Sequence, residues 1–482
     1  MATKALWMAA LALAGGCTKD ASRDKEHVET DTATTTDSKD TANPTSSVSD
    51  RRIDDAGAGS IDSDKVQLCT LTNGSVVVVW ADDREGERGI WGRRSPDGGL
   101  SWPDAPTRIN SDSANADEPV LACDGDVAYA AWEDDRDSEI EDANIYFSTS
   151  VGGATWSADL RVAGTDLGSF DHLEPQLAVA GAEVHVVWHS DDNGAFDIYA
   201  ASSTDGGASF ASPVRVDSDS PGAAWSSHPA VATDGLGRVY IAWEDRRAGV
   251  GDIYVAVSSN SGTSFGQDIR LDSGLGDSFR PEIAAAAGEA YIGWYDERDG
   301  EKLEVYAAYS DDGGASWATA ERLSEGTPGE KDSILPRLVL EGGTLHVTWF
   351  QAGGGGFHTE YRQVEAGLPS TEIIQLDHAP NAAQTTYPRI AASDGGWLVA
   401  WRDDRAASGD DDNDLYYSYS TDDGASWSPD LRIDAHPAGS TFAVDHSVAV
   451  IDGGLVAAWS DGRNGSADVF FTRLNLGEEA TE

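Results

Sequence analysis

Short apolar runs that end in tryptophan recur along this chain, separated by polar and glycine-rich segments. The eight tryptophans are Trp80, Trp132, Trp188, Trp243, Trp294, Trp349, Trp401 and Trp459, at intervals of 51 to 58 residues. A near-constant period of this size is typical of repeat architectures, in which each unit buries its apolar face against its neighbours. Features shared by most units are therefore interpreted as structural, and features that occur once as candidate sites.

One repeat predicts the fold of all of them. Around Trp243, the segments 228–232, 238–243, 252–257 and 268–271 each alternate apolar and polar residues, and turn residues separate them. Four short antiparallel strands in each repeat are typical of a β-propeller. The sequence thus predicts an all-β, eight-bladed β-propeller of four-stranded antiparallel blades.

The ends of the repeat array predict how the ring closes. The last repeat has a third strand at 469–472 and no fourth strand after it, whereas Arg51-Arg52-Ile53-Asp54 resembles the fourth-strand segment Leu431-Arg432-Ile433-Asp434. We expect this N-terminal strand to complete the last blade and to remove an exposed sheet edge. The propeller is predicted over 51–477, with a short tail at 478–482.

The N-terminus has the features of an export signal. Lys4 precedes an apolar stretch, 5–14, that is too short to cross a bilayer and ends near Cys17. We predict a lipoprotein-type signal peptide at 1–17, lipid attachment at Cys17, and a disordered Thr/Ser/Asp-rich tether at 18–50. The mature protein would be lipid-anchored in the bacterial cell envelope, in the periplasm or on the outer surface. An ordinary cleaved signal is the alternative.

Charge and cysteine content narrow the range of partners. The chain has 33 Lys and Arg residues and 84 Asp and Glu residues, which gives a formal charge of −51. A surface with this charge repels phosphate backbones, so nucleic acid is not expected as a partner. Cys69 and Cys123 are interpreted as free thiols in strands, although an oxidising compartment would permit a disulfide. The acidic loops at 410–414 and 139–144 could offer oxygen ligands to Ca²⁺. Solvated loops without any cofactor are the simpler interpretation.

Two further motifs recur and are interpreted as structural. Six repeats share a turn of the form Ser95-Pro-Asp97-Gly-Gly99-Leu-Ser101-Trp102, in which short side chains can accept the N–H groups of the turn. An Asp-x-Arg motif follows six of the tryptophans, as in Asp82-x-Arg84. The turn resembles the Asp-box (BNR repeat) of sialidase-like propellers, the neuraminidase superfamily. The resemblance implies that these boxes are structural and lie away from a catalytic centre.

Residues that vary between repeats mark the candidate site. The positions before and after the recurring proline of each first strand are predicted to line the mouth of the central channel, and they hold Glu174, His228, Arg280, Glu282, Arg337, Tyr387, Arg389 and Asp445. The resemblance to sialidases implies that Arg280, Arg337 and Arg389 clamp a substrate carboxylate. It also implies Tyr387 with Glu282 as a nucleophile pair and Asp445 as acid/base. Glu174 and His228 are further candidate binding residues.

Three functions are compatible with this sequence. The first is a surface-anchored module that binds a glycan or a protein through the channel mouth. The second is a glycoside hydrolase of exo-sialidase type, and the third is a structural envelope protein without a ligand. Active enzymes of the family have six blades and a Phe/Tyr-Arg-Ile/Leu-Pro motif, whereas this chain has eight repeats and Phe279-Arg280-Pro281. We therefore favour the binding module, acting as a monomer.

Overall fold

A computed structural model describes residues 50–475, except 112–114, 138–141, 164–169, 273–274, 301, 371, 380–382, 394–395, 408–411, 441 and 453. The predicted signal peptide with Cys17, all but the last residue of the tether, and the C-terminal tail lie outside the described residues. Both acidic loops proposed for Ca²⁺ lie partly outside them. No helix in the described part of the chain is long and apolar enough to span a membrane.

The described residues form eight antiparallel sheets arranged as an eight-bladed propeller. The first strand of the chain is β1 Arg51–Arg52. Blades 1 to 4 follow, four strands to a blade: β2 Ser63–Thr70, β3 Val76–Asp82, β4 Gly89–Ser95, β5 Thr107–Arg108; β6 Ala116–Asp124, β7 Val127–Asp134, β8 Asn144–Val151, β9 Leu160–Arg161; β10 His172–Ala180, β11 Glu183–Ser190, β12 Asp197–Ser203, β13 Val214–Arg215; β14 Ser226–Thr233, β15 Val239–Asp245, β16 Asp252–Ser258, β17 Ile269–Arg270.

Blades 5 to 8 repeat this order. Their strands are β18 Ser278–Ala286, β19 Glu289–Asp296, β20 Glu304–Ser310, β21 Glu321–Arg322; β22 Ser333–Glu341, β23 Thr344–Gly353, β24 Gly356–Glu365, β25 Leu368–Pro369, β26 Ile374–Gln375; β27 Thr385–Ser393, β28 Gly396–Asp403, β29 Asp414–Ser420, β30 Leu431–Arg432; β31 Ala443–Ile451, β32 Gly454–Asp461, β33 Asp468–Asn475. Blade 6 has five strands because β25 and β26 both pair with β24. The prediction of an all-β, eight-bladed propeller is confirmed.

The N-terminal strand closes the ring, as predicted. β1 pairs with β33, placing Arg51 opposite Phe471 and Arg52 opposite Phe470. The next residue, Ile53, donates its N–H to the Val469 carbonyl, and the buried Asp54 carboxylate accepts the Val469 N–H. The first and last strands of the propeller therefore share blade 8, and β1 covers the edge of β33 that would otherwise be exposed.

The recurrent tryptophans lie in the second strand of each blade and form the core. All eight are almost fully buried between neighbouring sheets. In six blades the indole Nε1 donates to the aspartate two residues later, and the arginine two residues further on pairs with the same carboxylate. In blade 4, for example, Trp243 Nε1 lies 3.0 Å from Asp245 Oδ2, and Arg247 Nη2 lies 2.6 Å from the same oxygen. The Asp-x-Arg motif thus fixes the loop after the second strand.

The turn between the third and fourth strands joins neighbouring blades. In blade 1, Asp97 accepts hydrogen bonds from the Ser95 hydroxyl and from both the N–H and the hydroxyl of Ser101. A Cβ on Gly99 would lie 2.4 Å from the Phe471 ring of blade 8. The aromatic residue of the turn, Trp102, packs edge-on against the same ring, with centroids 4.8 Å apart. The turn is therefore a packing element of the seam between blades.

The expectation that Cys69 and Cys123 are free thiols is wrong. They form a disulfide between β2 and β6, the first strands of blades 1 and 2, with Cα atoms 5.9 Å apart. Their sequence separation is 54 residues, about one repeat. Two cysteines one repeat apart occupy almost equivalent positions in adjacent blades, and adjacent first strands contact each other around the axis. The ring geometry therefore brings the two sulfurs within bonding distance.

We predict that this disulfide stabilises the propeller. Closing a loop of 54 residues is worth about 4 kcal/mol in the chain-entropy model. The double variant Cys69→Ser/Cys123→Ser should melt at a lower temperature than the wild type in differential scanning calorimetry. Reductant should lower the wild-type melting temperature toward that of the variant and leave the variant unchanged. Equal melting temperatures under oxidising conditions would contradict the prediction.

Candidate functional site

The first strand of every blade contains a β-bulge at the predicted mouth position. The register with the second strand shifts there in all eight blades, for example between Phe279 and Glu282. In blades 1 to 7 a non-glycine residue in the bulge has φ between 45° and 56°; these residues are Lys65, Glu118, Glu174, His228, Arg280, Leu335 and Tyr387. Such conformations are uncommon for residues with a Cβ, and bulges re-aim side chains. The strand is thus interrupted at the candidate residues.

A second set of variable residues follows the tryptophans, one per blade. These residues are Ala81, Glu133, His189, Glu244, Tyr295, Phe350, Arg402 and Ser460. In six blades each lies between the buried tryptophan and the buried aspartate that accepts its Nε1 hydrogen bond. Because side chains alternate along a strand, the middle residue faces the opposite way from both. This set was not predicted from the sequence, although each member directly follows a recurrent tryptophan.

Acidic side chains dominate one side of the mouth. We call Glu118, Glu133, Glu174 and Glu244, from blades 2 to 4, the acidic arc. Lys65 of blade 1 pairs with Glu118 at 2.6 Å, and Glu133 Oε1 accepts the Glu174 N–H at 2.7 Å. Burial, reinforced by Glu118 and Glu174, raises the pKa of Glu133 well above its ordinary value. The carboxylates of this arc are therefore close enough to repel one another.

Two histidines lie within the acidic arc. Glu174 contacts both, with Oε1 3.7 Å from His228 Nε2 and Oε2 3.7 Å from His189 Nδ1. His228 Nδ1 also lies 3.5 Å from Glu244 Oε2. The structure therefore brings the predicted binding residues Glu174 and His228 together. Burial lowers the pKa of His189 to about 4, so that ring is neutral at neutral pH.

Arginines dominate the opposite side of the mouth. We call Arg280, Arg337, Arg389 and Arg402, from blades 5 to 7, the basic arc. Burial, followed by the charges of Arg389 and Arg280, lowers the pKa of Arg337 well below its ordinary value. The three predicted clamp arginines are therefore close enough to interact electrostatically. Arg337 forms an ion pair with Glu282, which counteracts this repulsion.

The basic arc has more buried polar groups than partners. Arg389 Nη1, Arg402 Nε and His446 Nε2 are all buried, and no described residue supplies a hydrogen-bond partner for these atoms. Burial, with the charges of Arg389 and Arg402, lowers the pKa of His446 well below its ordinary value. Arg389 itself has a pKa lowered by burial, although Asp445 and Tyr387 act in the opposite direction. The cluster therefore contains buried polar atoms that the described residues leave without hydrogen-bond partners.

The predicted catalytic residues all lie in this region, each with a protein contact. The Arg402 guanidinium stacks over the Tyr387 ring, 3.9 Å from its centroid. Glu282 is engaged by Arg337, and Asp445 Oδ2 accepts the Lys65 N–H at 3.0 Å. The Tyr295 hydroxyl is affected electrostatically by Arg280, Glu244 and Tyr387, which places it between the two arcs. The assignment of Tyr387, Glu282 and Asp445 as catalytic stays a prediction.

One acidic cluster of the described chain could accommodate a cation. Ligand atoms of Asp197, Asp217 and Asp219 lie within 4.8 Å of one another. Arg215 already contacts all three, at 3.0, 2.5 and 2.5 Å. The same combination of a fourth-strand arginine with two aspartates recurs at Arg270 and Arg432. This recurrence indicates a structural role, so we do not assign the cluster to a metal.

Comparison with known proteins adds the following findings. No family model matches the sequence, and no curated protein matches it significantly. Among solved structures, a protein of unknown function from Dyadobacter fermentans is 12% identical, with a TM-score of 0.43 over 88% of this chain and 99% of that one. An ulvan lyase is 11% identical, with a TM-score of 0.47 over 74% and 91%. A sialidase from Streptococcus pneumoniae is 12% identical, with a TM-score of 0.40 over 83% of each chain.

We predict that Glu282 is needed to hold Arg337 in the basic arc. Both side chains are about one-third exposed, at 28% for Arg337 and 32% for Glu282. Removing one charge of a half-buried pair beside two further arginines should cost about 2 kcal/mol. Glu282→Gln should therefore lower the free energy of unfolding in denaturant titrations, and sulfate should restore part of the loss. Glu321→Gln, at an exposed position of the same blade, is the matched control. Equal stability of the two variants would rule out this role for Glu282.

Proposed function

We propose that this protein is a carbohydrate-binding propeller whose basic arc binds a carboxylate-bearing sugar at the channel mouth. The observation that carries the proposal is the convergence of Arg280, Arg337 and Arg389 in a chain with a formal charge of −51. Guanidinium groups that repel one another cost stability, and an anion between them relieves that cost. Bidentate pairing with a carboxylate suits the planar guanidinium.

The surrounding groups favour a sugar over a simple anion. Tyr387 is half-buried and places a hydroxyl group and aromatic surface beside the arginines, whereas Tyr295 is buried. The pKa of the buried His446 is lowered, so its ring is neutral and Nε2 is an acceptor for which no described residue is a partner. Hydroxyl and ring contacts of this kind orient a polar ligand in a binding site. The acidic arc on the other side of the mouth repels extended polyanions, which favours a ligand with an isolated negative charge.

Binding without hydrolysis is the form of the proposal that these contacts favour. In the sialidase-type alternative, Glu282 would activate Tyr387 as a nucleophile. Glu282 is instead engaged by Arg337, and the cationic Arg402 stacks on Tyr387. A carboxylate held in an ion pair is a weak general base for a tyrosine in another blade.

Export and lipid anchoring are part of the same proposal. The disulfide between Cys69 and Cys123 supports an oxidising compartment outside the cytosol. A protein held there by a lipid at Cys17 would meet glycans at the cell surface or in the periplasm. The bulk negative charge would keep the propeller away from anionic lipid headgroups.

The binding proposal predicts that Arg389 is required for acidic sugars. Isothermal titration calorimetry with N-acetylneuraminate and glucuronate should detect binding of at least one of them, and lactose should bind much more weakly. Arg389→Ala should weaken that binding by about tenfold or more, because a charge-assisted hydrogen bond is worth about 1.5–3 kcal/mol. Arg94→Ala is the control, since Arg94 donates to Ser75 at the opposite end of its blade.

Two results would overturn this proposal. The first is the absence of binding to both acidic sugars, or binding that Arg389→Ala leaves unchanged. The second is turnover of a fluorogenic sialoside that Tyr387→Phe abolishes, which would replace the binding module by the sialidase-type hydrolase.

Lipid attachment is tested separately. Cells that express the full chain should incorporate labelled palmitate into the wild-type protein and should release the Cys17→Ala variant from the membrane fraction. The Cys69→Ser/Cys123→Ser variant, which keeps Cys17, is the control and should remain labelled. Labelling that persists in Cys17→Ala would reject the predicted attachment site.

A further inference from the structure

The residue just before each first strand shows a recurrent contact between blades. In blades 1, 3, 5 and 6 this residue is an aspartate whose Oδ1 accepts a backbone N–H from the preceding blade. The contacts are Asp62 with Ala467, Asp171 with Ala143, Asp277 with Gly251, and Asp332 with Leu303. Four occurrences at equivalent positions indicate a structural link across the seam on the face of the channel mouth.

Blade 4 replaces this aspartate with Trp225. Its partner across the seam is Phe196, which stands where the donor residue stands in the other blades. The two rings pack edge to face, with centroids 4.9 Å apart and an interplanar angle of 90°. An aromatic pair therefore links blades 3 and 4 in place of a hydrogen bond.

Trp225 is much more exposed than a seam residue needs to be. Its backbone is fixed on both sides, because Arg246 donates its N–H to the Trp225 carbonyl and Ser226 donates its N–H to the Phe196 carbonyl. Even so, 56% of the residue remains accessible to solvent, whereas the eight recurrent tryptophans are nearly fully buried. An exposed indole on a fixed backbone offers aromatic surface for stacking.

The aromatic contact continues toward the acidic arc. Phe196 packs on the His189 ring with centroids 4.4 Å apart, and His189 lies 3.7 Å from Glu174. The contacts of Trp225 thus lead, through Phe196 and His189, to Glu174, a carboxylate that can accept hydrogen bonds from hydroxyl groups. The carboxylates of the acidic arc repel an acidic group, which favours a neutral sugar as the occupant.

We propose that Trp225 forms a second subsite, which stacks a neutral pyranose ring of the same glycan whose acidic sugar is held by the basic arc. The inference rests on the proposed function, and it specifies the ligand as an oligosaccharide that contains an acidic unit and a neutral unit. The C–H groups on one face of a pyranose carry slight positive charge and pack against the negative face of the indole. The hydroxyl groups at the ring edge meet the acidic arc.

The test compares a short and a long ligand in each of two pairs. The probes are N-acetylneuraminate with sialyllactose, and glucuronate with a disaccharide of glucuronate and a neutral sugar. The wild type should bind the longer member of at least one pair about tenfold more tightly, and Trp225→Ala should abolish that preference. Trp225→Phe should keep part of it because a smaller aromatic face remains. The control Leu236→Ala removes another exposed apolar side chain of the same blade and should keep the full preference.

The outcomes separate this inference from the proposed function. If an acidic monosaccharide binds in an Arg389-dependent manner but the preference is absent in the wild type or survives in Trp225→Ala, the second subsite is wrong and the basic arc stands. If neither acidic monosaccharide binds, the proposed function is wrong, and the second subsite, which rests on it, is wrong as well. A preference for the longer ligand that requires both Arg389 and Trp225 supports the proposed function and the second subsite.

Discussion

The mouth of this propeller depends on a carboxylate buried beside a tryptophan. A buried aspartate is tolerated only when its charge and its lone pairs are satisfied, and in six blades the indole N–H and the following arginine do this. Asp245, for example, receives bonds from Trp243 and from the backbone and guanidinium of Arg247. Burial alone would raise the pKa of Asp245, but these hydrogen bonds lower it below its ordinary value. Asp245 therefore stays charged and holds the end of its strand, whereas at Asp296 burial outweighs the same hydrogen bonds and raises the pKa.

This buried Trp–Asp–Arg cluster also determines where the variable side chains of the candidate site lie. With the tryptophan and the aspartate both turned into the seam, the residue between them has to face the other way. Glu133, Glu244, Tyr295 and Arg402 reach the mouth for this reason. Blades 3 and 6 lack the Trp–Asp–Arg cluster. Trp188 donates instead to His172, and Trp349 Nε1 has no hydrogen-bond partner among the described residues. The invariant parts of the repeat thus position the variable ones.

The sequence was sufficient for the architecture and for half of the site. Periodic tryptophans and a strand missing from the last repeat predicted eight blades and their closure, because both follow from local patterning. The positions around the recurring proline predicted Glu174, His228 and three arginines, and the structure places these residues at the candidate site, while their roles stay a prediction. The bulge with positive φ was not predicted, since only glycine signals such a conformation in a sequence. Nor was the disulfide, because its two cysteines meet only once adjacent blades pack side by side.

Closure by β1 has a mechanical consequence. Only two residue pairs join β1 to β33, and β1 is the outermost strand of blade 8. Tension applied through the residues that precede Arg51 would act on the end of this strand and would break its backbone contacts one after another. The disulfide would not resist it, because it joins blades 1 and 2 near the axis. Under force, blade 8 would therefore lose its outer strand while the inner ring of the propeller remained intact.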